Sequence, residues 1–436
     1  MIATIVISVL TCLGLLSSIL FFPKIKTKRF EFNTFWLICL LGAGLILLCN
    51  CVTLNDVKSG LFENSSINPI KILILFFSMT FLSIFLDEVG MFRYLAAFLV
   101  KKFKVNQFLL FITMYLMVAV LTIFTSNDIV ILTFTPFICY FCKNAKISPL
   151  PYLIAEFAAA NLYSMILIIG NPTNIYLAGS SNIDFISYFQ VMAIPTIVSG
   201  LVQFGLILLL FRKSLKTKIE VEETKVKITS KIDMLFGLIH LIICLLLLIV
   251  SSYIALDMWL ICILCATSLL IFIISIHIIR GKNLTIIKDT AKRLPFNLIP
   301  FIISMFIIVL ALKKHGVTNL VFNLFGEENV ILKYGVTSFV ASNLINNIPM
   351  SVLYSNIIQF TDPSLQNKAI YSTIIGSNLG AFLTPVGALA GIMFTDLVHK
   401  QGLKFSFKSF VLYGSLISIP TLIVALGMLS VVFIFI

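Results

Sequence analysis

Charge is scarce in this chain. Only 11% of its 436 residues are Asp, Glu, Lys or Arg, where soluble domains carry about 25%. Just 18 are acidic. With 60% hydrophobic residues and a mean hydropathy of +1.10, this excludes a soluble globular domain. Histidine is rarer still: positions 240, 277, 315 and 399, all away from the polar clusters described below, so no nucleophile–histidine–acid set assembles. No GxxxxGK[S/T] phosphate loop is present, which excludes intrinsic ATP use through that motif. The nine cysteines lie mostly in apolar runs without metal-ligand spacing. Cys139 and Cys142 are spaced CxxC with no partner pair and read as small buried hydrophobes. No enzyme activity, metal or cofactor is expected.

What the chain has in abundance is apolar runs of about 20 residues, each able to cross about 30 Å of hydrocarbon. Met1–Phe22 lacks a basic start and a small-residue cleavage site, so it reads as a first spanning helix. The net charge of +13 does not point to nucleic acid. Of the 31 Lys and Arg, 24 fall in short loops at 24–29, 101–104, 143–146, 212–231, 280–293 and 400–408. Placing those loops in the cytoplasm satisfies the positive-inside rule and puts the N-terminus outside a multi-pass cell-membrane protein.

That topology predicts an all-α integral membrane protein built as two inverted repeats. In the first, residues 1–212, crossings near 1–22, 32–54 and 68–87 precede an amphipathic surface piece at 90–102. A hairpin over 105–142 follows, then a broken helix at 149–179 and a crossing at 185–212. Residues 213–231, with Glu220, Glu222 and Glu223 among lysines, form a cytoplasmic linker. The second repeat, 232–436, has crossings near 233–252, 257–279 and 297–313, a hairpin at 329–360, a broken helix at 367–395 and a last crossing at 408–434. The arms of the second hairpin, about 14 residues or 21 Å each, are too short to span, so it is expected to be re-entrant. Five crossings plus one hairpin make an odd number of passes per half, hence the inversion.

Three motif pairs support the repeat. "LDEVG" (Leu86–Gly90) matches "LKKHG" (Leu312–Gly316), Asn127-Asp128 matches Asn346-Asn347, and "GNPTN" (Gly170–Asn174) matches "LTPVG" (Leu383–Gly387). Irregular backbone at membrane depth survives only where protein or a water-filled cavity satisfies it. Two hairpin tips and two proline-broken helices meeting near the midplane would make such a place. Half-helix N-termini there favour an anion, and freed carbonyls with Asn and Ser oxygens favour a cation. The candidate binding residues are Ser126, Asn127 and Asp128 at the first tip, and Asn343, Asn346 and Asn347 at the second. At the breaks they are Asn171, Pro172, Thr173 and Asn174, then Ser377, Asn378, Thr384, Pro385 and Gly387. Asp128 and Glu156 are candidate coupling acids for sodium or a proton.

Each has a plainer reading. Asp128 also suits a helix cap, and Glu156 a site near the interface. Asn171 and Thr384 also suit simple helix breakers. Asp87, Glu88, Lys313 and Lys314 read as interfacial anchors or pairs, and His315 as an exposed loop residue.

"LDEVGMF", "NDIVILTFTP", "LINNIPMSV" and "IIGSNLGAFLTPVGALA" occur in this order over nearly the full length. In this the chain resembles the arsenite/antimonite efflux permeases of the ion-transporter superfamily. Sodium/proton antiporters of the NhaD type and sodium-coupled di- and tricarboxylate carriers are relatives. The resemblance implies a secondary transporter of a small anionic or neutral oxyanion, a homodimer, and elevator-like movement of a hairpin-bearing domain against a scaffold. It also implies a separate ATPase partner for arsenite permeases. Two departures weaken an arsenite assignment: Asn378 and Asn161 stand at or near positions where those permeases carry aspartate. "GNPTN" is nearer the carboxylate-carrier version of that turn.

Overall fold

The computed structural model describes residues 1–22, 24–26, 31–62, 68–103, 106–216, 228–251, 253–254, 256–403 and 405–435. Among these, the first half contains α1 (Ile2–Phe21), α2 (Phe35–Leu48), α3 (Leu54–Phe62), α4 (Pro69–Glu88), α5 (Met91–Phe103), α6 (Gln107–Phe124), α7 (Asn127–Asn144), α8 (Leu150–Tyr163), α9 (Pro172–Gly179) and α10 (Phe185–Phe211). The second contains α11 (Lys231–Val250), α12 (Met258–Ile279), α13 (Thr285–Arg293), α14 (Leu298–Lys314), α15 (Val317–Phe325), α16 (Val330–Ile345), α17 (Asn347–Ile358), α18 (Pro363–Gly380), α19 (Leu389–Lys400) and α20 (Phe407–Phe435). Eight segments among the described residues are long and apolar enough to cross a membrane, so this is a multi-pass membrane protein.

Several expectations need correction. The chain is not purely helical: β1 (Lys24–Lys26) pairs antiparallel with β2 (Glu31–Asn33). The crossing expected over 32–54 is only the 14-residue α2, because the chain turns through Asn50 at φ 52° before α3. The arms of the second hairpin are unequal, 16 residues in α16 and 12 in α17. Residues 217–227 of the 213–231 linker, including Glu220, Glu222 and Glu223, lie outside the described residues, as does Val105 at the start of the first hairpin.

Local chemistry explains where helices start. Asn68-Pro69, Asn171-Pro172 and Asp362-Pro363 open α4, α9 and α18 alike. The Asx oxygen accepts a free N–H of the first turn, and proline occupies the first helical position, where its missing N–H costs nothing.

Helices pack both across the two halves and within them. α2 lies on α14 and α12 on α4; α7 lies on α19 and α17 on α9; α6 lies on α8 and α16 on α18; α10 lies on α20. The α16–α18 seam is close because Gly376 and Gly380 face Ser338, Ser342 and the backbone of α16, where any Cβ would collide. α8 is buried from Pro151 to Leu162, whereas α11 and α12 expose Leu235, Ile242, Leu246, Leu264 and Ile271.

Some of the few charges pair across the halves. Arg293, at the end of the unexpected helix α13, donates to Asp87 Oδ2 at 2.6 Å and to Glu88 Oε2 at 2.7 Å. Asp87 is 2% exposed. At the end of α14, Lys314 pairs with Asp56 of α3 and Lys313 donates to Gln359. Thus Asp87, Glu88 and Lys314 are ion-paired and Lys313 is hydrogen-bonded. The Lys314 ammonium, with Thr53, holds the Asp56 carboxyl down to about 2. That contribution is present above the ordinary carboxylate range and is lost only as pH falls towards 2. His315 is half-buried, not an exposed loop residue, because it caps α14 with Nε2 on the Cys51 carbonyl at 3.1 Å.

Replacing Arg293 by Met leaves Asp87 buried and unpaired, and should cost about 3–5 kcal/mol. Adding Asp87→Leu should restore most of the melting temperature in detergent. An unchanged melt in the single variant would mean that the fork is not formed.

Candidate functional site

The predicted polar residues occupy four interruptions of helix. At the first tip α6 stops at Phe124, Thr125 and Ser126 run non-helical, and α7 restarts at Asn127. Asn127 Nδ2 donates to Asn161 Oδ1 of α8 at 3.3 Å. Asn127 Oδ1 and Ser126 Oγ are buried without a partner among the described residues. Asp128 does not cap the arm: Ser126 occupies the cap position, and Asp128 is the second residue of α7. Half-buried at the positive end of α7, its carboxylate makes no hydrogen bond or ion pair among the described residues.

The second tip is stapled to the second break. α16 ends at Ile345, and Asn346 turns the chain at φ 69°, ψ 152°. Glycine alone adopts that region freely, so the tip stores about 1–3 kcal/mol of strain. Asn346 Nδ2 donates to Val386 O at 3.1 Å, and Asn347 N to Gly387 O at 3.0 Å. Asn343 donates to Gly380 O at 3.0 Å and accepts from Thr384 Oγ1 at 2.7 Å. A side chain at Gly387 would strike Gly380 O and Asn343 Oδ1, so only glycine fits.

The breaks begin before their prolines. α8 ends at Tyr163, and the chain stays out of α-helix until Asn171 caps α9 through Thr173 N at 3.1 Å. Pro172 therefore starts a helix rather than interrupting one. α18 likewise ends at Gly380, and Pro385 lies in the connecting turn before α19. Helix position also shifts the motif pairing: Asn127 and Asn347 each open a hairpin arm, so Asn347 corresponds to Asn127 rather than to Asp128.

Asn378 ties the breaks together. Its Oδ1 accepts from Asn171 Nδ2 at 2.8 Å and from Ser164 Oγ at 3.0 Å. Its Nδ2 donates to Asn174 Oδ1 at 2.8 Å and to Ile374 O at 2.9 Å. Asn174 in turn donates to the Ser164 and Leu167 carbonyls, closing the loop of the first break. The single Ser164 hydroxyl proton is shared between Asn378 Oδ1 and Asn161 O, the latter at 2.9 Å, which carries the network to Asn127. Neighbouring Ser377 Oγ is buried and unpartnered among the described residues.

The structure thus joins Asn171, Asn174 and Asn378 directly and Asn127 through Asn161 and Ser164, and it bonds Asn343 to the end of α18 and to Thr384, and Asn346 and Asn347 to Val386 and Gly387 in the turn that follows. Asn161 and Ser164 were not among the candidate binding residues. Their one sequence signal is polarity at the end of the apolar run "YLIAEFAAANLYS". Glu156 stands apart: it is 1% exposed and meets Thr135 rather than the tips.

Polar interruptions enclosed by apolar spanning helices define a membrane transporter. The chain belongs to the citrate transporter family, whose sequence profile matches residues 30–373. It is 24% identical over 371 residues to the arsenical pump membrane protein of Yersinia enterocolitica, covering 81% of this chain and 85% of that one. It is 23% identical over 407 residues to a putative arsenical pump membrane protein of Bacillus subtilis, covering 85% and 88%. The crystal structure of the Alcanivorax borkumensis YdaH transporter shares the fold, with a TM-score of 0.54 at 13% identity over 99% of this chain and 98% of that one.

Asn378→Leu should strand the Asn171 donor and the Asn174 acceptor, each costing about 1–3 kcal/mol, while Ser164 keeps its bond to Asn161 O. Asn378→Asp keeps both acceptor bonds and should melt between that variant and wild type. A leucine variant as stable as wild type would show that the breaks are held elsewhere.

Proposed function

We propose that the protein is a secondary transporter for a small anion or oxyanion, of arsenite or carboxylate type, coupled to sodium or protons. The observation that carries this reading is the division of labour in the polar cluster. Asn378 and its partners use their polar atoms on one another, while Ser126 Oγ, Asn127 Oδ1, Ser377 Oγ and the Asp128 carboxylate have none among the described residues. Those unpaired oxygens suit a coupling cation. The first turns of α7, α9 and α17 present N–H groups and positive dipole ends suited to an anion. The family name and the arsenical pump relatives favour this substrate class. Sodium/proton antiport without an anion is the second reading, favoured by the same unpaired oxygens.

The mechanism we infer is elevator-like, in two inverted repeats with re-entrant hairpins. Among the described residues, ten α-helices in each half, the matched packing of α2 on α14 and α12 on α4, and that of α7 on α19 and α17 on α9 support it. The N-terminus is placed outside and the 213–231 segment in the cytoplasm by the positive-inside rule. A homodimer and a separate ATPase partner follow from family resemblance alone.

In sealed vesicles carrying the purified protein, arsenite, antimonite, citrate, succinate and sulfate should be compared with and without sodium and a pH gradient. At least one anion should move in a gradient-dependent way. Gradient-driven sodium/proton exchange with no anion would favour antiport instead. Asp128→Asn should leave the protein inserted while its sodium or pH dependence is lost; an unchanged profile would remove Asp128 from coupling. A cysteine placed at Lys213 should label only from the cytoplasm and one at Tyr253 only from outside. Labelling of both from one side would refute the inversion.

A further inference from the structure

One carboxylate in the hydrophobic core takes no part in the tip cluster. Glu156 lies five residues before Asn161 on α8. Its oxygens are 3.0 and 3.2 Å from the Thr135 hydroxyl of α7. Among the described residues no cation accompanies it. Phe111, Met114 and Val118 of α6, Ile138 of α7 and Tyr152 of α8 enclose it around a cavity of about 10 Å3, the lower limit for one water. The titratable groups facing it are Tyr115, Tyr152 and Cys139. From α10, which packs on α8, uncharged Gln203 reaches Tyr115, and Phe394 and Phe410 close the α19 and α20 side against Phe157.

An ionised carboxylate in this setting would be an uncompensated charge in the core, whereas a carboxylic acid needs only the one hydroxyl it has. Hydrogen bonding to Thr135 also places the acid across the seam between a hairpin arm, α7, and the broken crossing, α8. Pro136 follows Thr135, and its missing N–H leaves the Leu132 carbonyl without its helical donor, so α7 is weakest at this level. Tyr152, one turn earlier on the same face of α8, sets its hydroxyl 3.5 Å from the Gln107 carbonyl at the start of α6, beside exposed Asn106. Polar groups therefore run from the neighbourhood of the acid towards the surface.

We propose that Glu156 is a proton-binding site separate from the tip cluster, occupied when α7 and α8 are closed on each other through Thr135 and emptied when that seam opens. One proton and no electron moves: the carboxyl O–H breaks, water takes the proton, and the carboxylate left behind is hydrated in the open seam. The transport arm of the test rests on the proton-coupled reading above; the occupancy of the closed state does not.

The test uses the full chain in liposomes. Infrared difference spectra recorded across a pH step should contain a carboxylic-acid C=O band that moves in D2O. The band should vanish in Glu156→Gln and shift in Thr135→Val, which keeps the acid and serves as the second arm should the glutamine variant fail to fold. A band unchanged in both variants overturns the proposal. In transport assays, Glu156→Gln should lose the pH dependence of flux that wild type displays, and a retained profile counts against it. If wild type moves none of the anions, the anion-transport reading falls, while the infrared result still decides the proton site.

Discussion

Backbone that leaves the helix inside an apolar bundle must find its hydrogen bonds within the protein, and much of this structure answers that one requirement. From Ser164 to Asn171, and from Ala381 to Ala388, the chain runs between helices in buried surroundings. Asparagine serves there because it both donates and accepts without bringing charge. Asn174 serves the Ser164 and Leu167 carbonyls, Asn343 serves Gly380, and Asn346 serves Val386. Asn378 then fastens one break to the other. An aspartate at that position would keep the acceptors and lose both donors, including the bond to Asn174, so the neutral side chain completes this network.

The same requirement separates polar atoms spent on holding the breaks from those left without a partner among the described residues. Satisfied atoms hold geometry; unsatisfied ones have capacity. By that criterion Asn171, Asn174 and Asn378 act chiefly as scaffold, while Ser126, Asn127, Asp128 and Ser377 keep oxygens without a partner among the described residues. The strained turn at Asn346 fits the pattern, since its conformation is held by bonds to Val386 and to the first turn of α17.

Charge has a different task. Arg293 grips the end of α4, and Lys314 at the end of α14 grips Asp56. The signs are thus reversed between the two halves: acids on α4 meet a base on α13, and a base on α14 meets an acid on α3. Each short helix, α13 and α3, is tied to a long helix of the opposite half.

The sequence alone determined the membrane class and, to within a few residues, where helix is interrupted, together with most of the asparagine network but not the part that Asn161 and Ser164 play in it. These follow from hydropathy, from proline and asparagine spacing, and from the distribution of lysine, all properties of short stretches of chain. Helix ends were less legible. Tyr163 and Gly380 close their helices several residues before the prolines, because carbonyls there find partners on distant asparagines. The N-cap at Ser126 rather than Asp128, the burial of Glu156 against Thr135 and the fork of Arg293 onto Asp87 and Glu88 were settled by tertiary structure. Each joins atoms dozens to hundreds of residues apart, or depends on what packs against a side chain, and no local pattern encodes that.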